Sequence, residues 1–266
     1  MSQASDKIFS VFSWVAIAAF TAFMMIGVIP FALIDPSGKM CHRWNCLWAR
    51  GILWLVRCRL IVFGAQEVDR TRPYVIVSNH DGTADIPIFM SAAPVSFKFA
   101  SKRTNFFIPL IGWAMAGARY VPIDRGSGQE KAKAVIRRLS GWLQRGVSVV
   151  LFPEGTRTRT GDLLSFKSGA FRLALQNRVA ILPCAVWGSR QAMKADAWIM
   201  KPTQLYLRMG KPIEVTDFVD TEEHLRDLVQ HARRTVEALR EELRRGETPI
   251  GNGQSAPATA LAQEGK

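Results

Sequence analysis

Two short polar clusters, each directly after an apolar run, carry the residue types needed for proton transfer and for gripping an anion. The first is Asn79-His80-Asp81-Gly82-Thr83-Ala84-Asp85, following Tyr74-Val75-Ile76-Val77-Ser78. His80 is a side chain that titrates near neutrality, and a carboxylate five residues on could accept one imidazole N–H, fix the tautomer and leave the other nitrogen as a general base. A regular helix would set residues five apart roughly 140° from each other. The pair therefore meets only if His80 lies in the loop leaving the strand and Asp85 in the first turn of the next helix, with Gly82 permitting the bend. Taken alone, the spacing suits a loop histidine beside a helix-capping aspartate at least as well.

The second cluster, Phe152-Pro153-Glu154-Gly155-Thr156-Arg157, follows Val147-Ser148-Val149-Val150-Leu151, and a third run, Arg119 to Ile123, leads into Asp124-Arg125. Arg125 and Arg157 each offer a planar fork of donors that matches a phosphate, although either in isolation reads equally as a solvated or locally paired surface arginine. Glu154 is placed to orient Arg157 or to accept a substrate hydroxyl. Phe152 and Pro153 read as packing and turn-setting residues. Buried strands that end in polar loops are where open α/β sheets bind ligands, at the strand carboxyl ends.

Several chemistries find no support. Neither a dinucleotide glycine fingerprint nor a phosphate-loop lysine motif occurs, Gly126-Ser127-Gly128 being too short for either, and no Gly-x-Ser-x-Gly elbow provides a serine nucleophile. Of the four histidines, His224 and His231 sit in an apolar-striped helix, so no metal and no cofactor are expected. Cys41, Cys46, Cys58 and Cys184 show no Cys-x-x-Cys spacing and are expected as free thiols.

The elements that position these clusters alternate. Strands are expected at 60–63, 74–78, 118–123, 147–151, 180–186 and 204–209. A helix from Gln129 to Gln144, stopped by Gly146, joins the third to the fourth as a strand-helix-strand crossover. A last helix opens at Asp220, with Glu223 three residues on, and packs Leu225, Leu228, Val229, Ala232, Val236, Leu239 and Leu243 on one face. This alternation predicts an α/β domain over 60–245, with residues 246–266 a polar, disordered tail.

Residues 1–59 point to a bilayer. The 27 residues Ile8–Ile34 carry no charged side chain, enough helix at about 1.5 Å per residue to exceed a hydrocarbon core of roughly 30 Å. With Lys7 as the one basic residue ahead of the run and no Ala-x-Ala site before Asp35, a cleaved secretory signal is not expected. Lys39, Arg43, Arg50, Arg57 and Arg59 alternate with Trp44, Trp48, Trp54 and aliphatic residues, as in segments at the lipid boundary. Whether the first segment spans or re-enters, these cations place the rest of the chain on the cytoplasmic face of the membrane, the inner membrane in a bacterial-type cell. A net charge of +13 suits an anionic surface or an acidic small molecule. It would also suit nucleic acid, but the uncharged run and the lack of a basic-aromatic reading motif argue against that partner.

In order along the chain, Asn79-His80 through Asp85, Val121-Pro122-Ile123-Asp124-Arg125, Phe152 to Arg157, and Ile181-Leu182-Pro183-Cys184-Ala185-Val186 resemble the four blocks of the 1-acylglycerol-3-phosphate acyltransferase family. The resemblance covers roughly Leu60 to Met209. It implies an α/β fold with a mixed, largely parallel central sheet flanked by helices, and an N-terminal membrane-associated helical pair. It implies His80 as the base that deprotonates the acceptor hydroxyl, Asp85 as its orienting acid, and no covalent intermediate. Arg125, Glu154, Gly155, Thr156 and Arg157 would form the acceptor-phosphate site and Pro183 would lie near the substrate channel. Lys102 and Lys167 would add positive field. The donor implied is acyl-CoA or acyl-carrier protein, and the product phosphatidate. Thr83, where serine is usual, and Tyr120-Val121-Pro122 depart from the common spelling and bear on acceptor choice. Related frameworks also serve lysophospholipids and lyso-ornithine lipids, and a non-catalytic membrane lipid-binding protein would share the basic surface while consuming no thioester.

Overall fold

The computed structural model describes residues 3–124, 128–194, 197–216, 218 and 221–246. Arg125, Asp220 and the chain after Gly246, all of which carried expectations, lie outside the described residues. The chain opens with two helices, α1 (Gln3–Ile34) and α2 (Lys39–Leu55), and then alternates. In order come β1 (Arg59–Phe63), β2 (Val75–Ser78), α3 (Asp85–Ala92), β3 (Phe97–Lys102), α4 (Ile111–Gly117), β4 (Val121–Ile123) and α5 (Gln129–Leu143). They are followed by β5 (Ser148–Leu151), α6 (Gly169–Asn177), β6 (Ile181–Trp187), α7 (Ser189–Ala192), β7 (Gln204–Met209) and α8 (Glu222–Arg245).

The strands form one sheet in the order β1-β7-β6-β2-β5-β3-β4. Among the described residues every neighbouring pair is parallel except β6 with β7. The β2 run is buried throughout, and apolar from Val75 to Val77, because both faces of the sheet are covered. Ile76 packs into the cluster under α1 to α4, while Val75 and Val77 pack into the one under α5, α6 and α8. Central parallel strands that end together bring the loops after β2 and β5 side by side, and these loops carry the two polar clusters.

Three expectations change. β3, absent from the sequence reading, separates β4 from β5, so the α5 crossover skips a strand. Its pattern is broken by Lys98, which is nonetheless buried: Nζ donates to Ala118 O at 2.7 Å and lies 4.7 Å over the Trp142 ring. Burial pushes its pKa down to about 8. The strand expected at 118–123 shortens to Val121–Ile123 because Ala118 closes α4 and Arg119 turns with φ at +57°. The last helix is capped by Thr221, whose side chain accepts from His224 N.

α1 is held to the rest of the fold near both ends. Near its start, Ser10 Oγ accepts from Met200 N at 2.9 Å, Trp14 Nε1 donates to Trp198 O at 2.8 Å, and Asp6 pairs with Lys201 at 3.0 Å. Near its end, Val28 and Ala32 lie against Gly117 of α4. Between them Trp48 Nε1 and Trp44 Nε1 of α2 donate to Thr21 Oγ1 and Met24 O. Its opposite face leaves Ile8, Val11, Phe12, Val15, Phe23, Ile26, Ile29 and Leu33 exposed in one stripe at helical spacing.

Candidate active site

The loop after β2 is set by Asn79. Its side chain accepts from Val186 N at 2.8 Å and donates to Val186 O at 3.0 Å, so the amide continues the β2–β6 ladder where the backbone leaves it. His80 is then gripped through its own backbone. Its N–H donates to Glu154 Oε1 at 2.7 Å, and its carbonyl accepts from Thr158 N at 3.0 Å. The loop after β5 thus holds the loop after β2 by main-chain bonds that do not depend on the imidazole.

The ring itself has two constraints. Nδ1 lies 2.6 Å from Asp85 Oδ2, and one face stacks on Phe152, with centroids 4.1 Å apart and planes 15° from parallel. Asp85 opens α3, and its Oδ2 also accepts from Asp81 N at 2.9 Å and Gly82 N at 3.1 Å. An ionised carboxylate only accepts, so the proton between the pair belongs on Nδ1, which leaves Nε2 with a lone pair. Asp85 is wholly buried, whereas 15% of the His80 side chain remains exposed. The imidazole can reach solvent and its carboxylate partner cannot.

Gly82 serves a different purpose from the one expected. Its φ is not in the left-handed region; what requires glycine is proximity, because a Cβ would sit 2.5 Å from Ser189 Oγ and 2.8 Å from the Ser189 backbone. Gly155 is the true conformational glycine of the site, with φ at +73° and its N–H donating to Phe152 O at 3.0 Å. That turn folds the second cluster back on itself. Lys167 reaches over it, its Nζ 2.9 Å from where a Gly155 Cβ would stand.

Glu154 is buried, and its two carboxylate oxygens accept backbone N–H groups from His80 and, at 3.0 Å, from Leu164. Burial pushes its carboxyl above the usual range while these amides pull it back. Both of its oxygens are therefore engaged in stapling the two loops through backbone amides. Glu154→Gln keeps one acceptor but sets an NH2 group against a backbone donor. We expect it to lower unfolding stability by about 1–3 kcal/mol, measured by denaturant unfolding. An unchanged midpoint would contradict the staple.

Arg157 is half-buried and crosses to the first loop, donating from Nη1 to Thr83 Oγ1 at 2.7 Å. The structure thus brings His80, Asp85, Glu154, Gly155 and Arg157 together, with Thr156 and Lys167 exposed at the rim. Lys102 ends β3 on the same edge, two strands from β2, and Arg103 beside it pairs with Asp124 at 2.7 Å. Among the described residues no group of His, Cys, Asp and Glu is arranged to hold a metal.

Residues 59–187 match the family model described as "Acyltransferase". A chloroplastic 1-acyl-sn-glycerol-3-phosphate acyltransferase from Arabidopsis thaliana, LPAT1, is 34% identical over 200 residues, which is 74% of this chain and 55% of that protein. The 1-acyl-sn-glycerol-3-phosphate acyltransferase of Saccharomyces cerevisiae is 27% identical over 242 residues, 88% of this chain and 78% of that one. The crystal structure of PlsC, the 1-acyl-sn-glycerophosphate acyltransferase of Thermotoga maritima, shares the fold. Its TM-score is 0.74 at 22% identity, covering 90% of this chain and 98% of that one. This chain belongs to the 1-acylglycerol-3-phosphate acyltransferase family. It spans 55% and 59% of the first two curated acyltransferases it matches.

Two site contacts in this family member carried no assignment from the sequence. The Phe152 ring flanks the His80 imidazole as well as packing against Phe89. Asp81, next to His80, is buried and lies 3.7 Å from Arg240 of α8. Asp81 stands inside the first motif and was legible as a candidate; Arg240, on the last helix, gave no spacing signal.

Proposed function

We propose that the chain transfers an acyl group from a thioester, acyl-CoA or acyl-carrier protein, to the sn-2 hydroxyl of 1-acylglycerol 3-phosphate, giving phosphatidate. The observation that carries this reading is the 2.6 Å contact between His80 Nδ1 and buried Asp85, with part of the ring left exposed and Arg157 bonded to Thr83 of the same loop. His80 Nε2 takes the hydroxyl proton as the oxygen attacks the thioester carbonyl. The tetrahedral adduct then collapses with loss of thiolate, and the imidazolium returns its proton to the leaving sulfur. Asp85 stabilises the imidazolium between these steps. No covalent acyl-enzyme enters the scheme.

Arg157 supplies the phosphate contact in this scheme, with Lys167 and the Gly155 turn beside it. Arg125 and Lys102 extend the positive field. Glu154 acts by holding the loops. Arg157→Ala is expected to cost about 1.5–3 kcal/mol of acceptor recognition, the range for a hydrogen bond to a charged group. The loss should appear as a raised KM for phosphate-bearing lysolipids. Equal losses on phosphate-free acceptors would remove Arg157 from the phosphate site.

The helical pair lies in the membrane surface rather than across it in this proposal. α1, about 48 Å long at 1.5 Å per residue, touches the domain near both ends. A crossing helix would drag the 198–201 loop or α4 into hydrocarbon. The exposed stripe of α1 would instead sink into one leaflet, with Trp54, Phe107 and Trp113, also exposed, alongside. A groove of about 560 Å³ between α4 and α5 is lined by Arg119, Arg137, Arg138 and Arg145 without an acidic residue, which favours anionic lipid. The double variant Phe12→Glu with Leu33→Glu should abolish co-sedimentation with anionic vesicles at unchanged Tm. Undiminished binding would contradict the placement.

A further inference from the structure

Arg240 lies on α8, outside the residues matched by the family model. Its side chain is only 15% exposed. Nε is 3.7 Å from Asp81 Oδ2, Nη2 donates to Gly161 O, and the guanidinium lies 5.4 Å from the centre of the Trp187 ring. A single side chain from the last helix therefore touches both site loops. One contact is adjacent to His80, and the other is in the segment that carries Glu154 and Arg157.

Three buried carboxylates surround His80: Asp81, Asp85 and Glu154. Two of them accept pairs of backbone amides, Asp85 Oδ2 from Asp81 N and Gly82 N, and Glu154 from His80 N and Leu164 N. Asp81 has no such pair of amides among the described residues. Burial pushes the Asp81 carboxyl above its usual range and Asp85 adds to this, while the Arg240 charge, a hydrogen bond with Asn79 and the neighbouring His80 pull it back. Other cations among the described residues around the two loops are Arg157, which donates to Thr83, Lys167, exposed over Gly155, Arg190, beside Gly161, and Arg233 of α8, which donates to Leu163 O and Leu164 O. An uncompensated carboxylate next to an imidazole favours the protonated ring, and a protonated ring cannot accept a substrate proton.

We propose that Arg240 is a positioning residue that neutralises Asp81, keeping His80 available as a base and the two site loops in register. The inference rests on the general-base reading above. Without Arg240, the proton that enters the Asp81–His80 pair arrives at a higher pH, whichever of the two holds it. Without Asp81, the buried guanidinium opposes protonation and the proton arrives at a lower pH. With both charges removed, the ring returns to its original field.

The test is the pH dependence of kcat/KM for the full chain in anionic vesicles. It compares the parent with Arg240→Met, Arg240→Lys, Asp81→Asn and the double variant, and adds His80→Ala as a control. The acid limb should rise by about half to one pH unit in Arg240→Met, fall in Asp81→Asn, and return to the parental position in the double variant. Arg240→Lys should stay near the parent. A purely structural role would lower kcat or Tm without opposite shifts of the limb. Coincident limbs in parent and Arg240→Met would overturn the proposal. If Arg240→Met does not fold, an unmoved limb in Asp81→Asn overturns it instead. Near-normal turnover by His80→Ala would reject the general-base reading itself, whereas a dead His80→Ala with unmoved limbs rejects only the role of Arg240.

Discussion

His80→Ala should lower acyl transfer by at least about 10²–10⁴-fold, the usual contribution of a positioned general base, while vesicle binding stays intact. The architecture makes this a clean experiment. The loop around residue 80 is held by its own N–H on Glu154 and its carbonyl on Thr158, and both bonds survive truncation at Cβ. Asp85 keeps its two amide donors. What disappears is the imidazole, its stack on Phe152 and its bond to Asp85. Turnover should therefore collapse with little change in the unfolding midpoint. Substantial turnover in a folded His80→Ala protein would assign the proton to another group.

Asp85→Asn is expected to be nearly as damaging, about 10²–10⁴-fold in kcat, for a different reason. The asparagine oxygen can still accept from Asp81 N, Gly82 N and the ring, but it brings no negative charge to stabilise the imidazolium that forms during transfer. Its NH2 group would replace Oδ1, a buried atom with no hydrogen-bond partner, so two donors enter a site with nothing to receive them. Such a donor costs about 1–3 kcal/mol, and the variant should lose stability as well as rate. If the amide flips, the NH2 faces three donors and the loop must open. Joint measurement of kcat and Tm checks both parts. A variant within threefold of the parent in kcat would show that the carboxylate only shapes the loop.

How far the sequence revealed the molecule depended on whether a residue's neighbours were close along the chain. β2 and β5 were readable because a sheet covered on both faces demands unbroken apolar runs. The His80–Asp85 juxtaposition was one of two readings its spacing left open, and the loop-to-helix geometry that brings the pair to 2.6 Å is set within six residues. β3 was hidden by Lys98, since a lysine inside an apolar run argues for exposure; here three carbonyls, of Ala118, Ser37 and Gly38, surround its ammonium. Those carbonyls come from the end of α4 and the turn between α1 and α2, which no local pattern connects to residue 98.

Glu154 shows the same limit inside the site. Its place beside Arg157 was plain, but which atoms its oxygens meet depends on the backbone amides of residues 80 and 164, and amides leave no mark in a sequence. Gly82 was flagged for flexibility, while its need for space arises from Ser189, more than a hundred residues away. The apolar stripe of α1 was evident as a lipid-seeking run. That the helix lies along the domain required the contacts of Ser10, Trp14 and Val28 with partners far down the chain.

The central claim is that an aspartate-steered imidazole and a phosphate-gripping arginine act on one lysolipid. It is tested most directly by presenting the purified protein with a labelled acyl thioester and a panel of lysolipids that differ only in head group. The account predicts label in phosphatidate, with 1-acylglycerol 3-phosphate strongly preferred over the phosphate-free monoacylglycerol. Equal labelling of acceptors with and without the phosphate, or no thioester consumption with any of them, would contradict it.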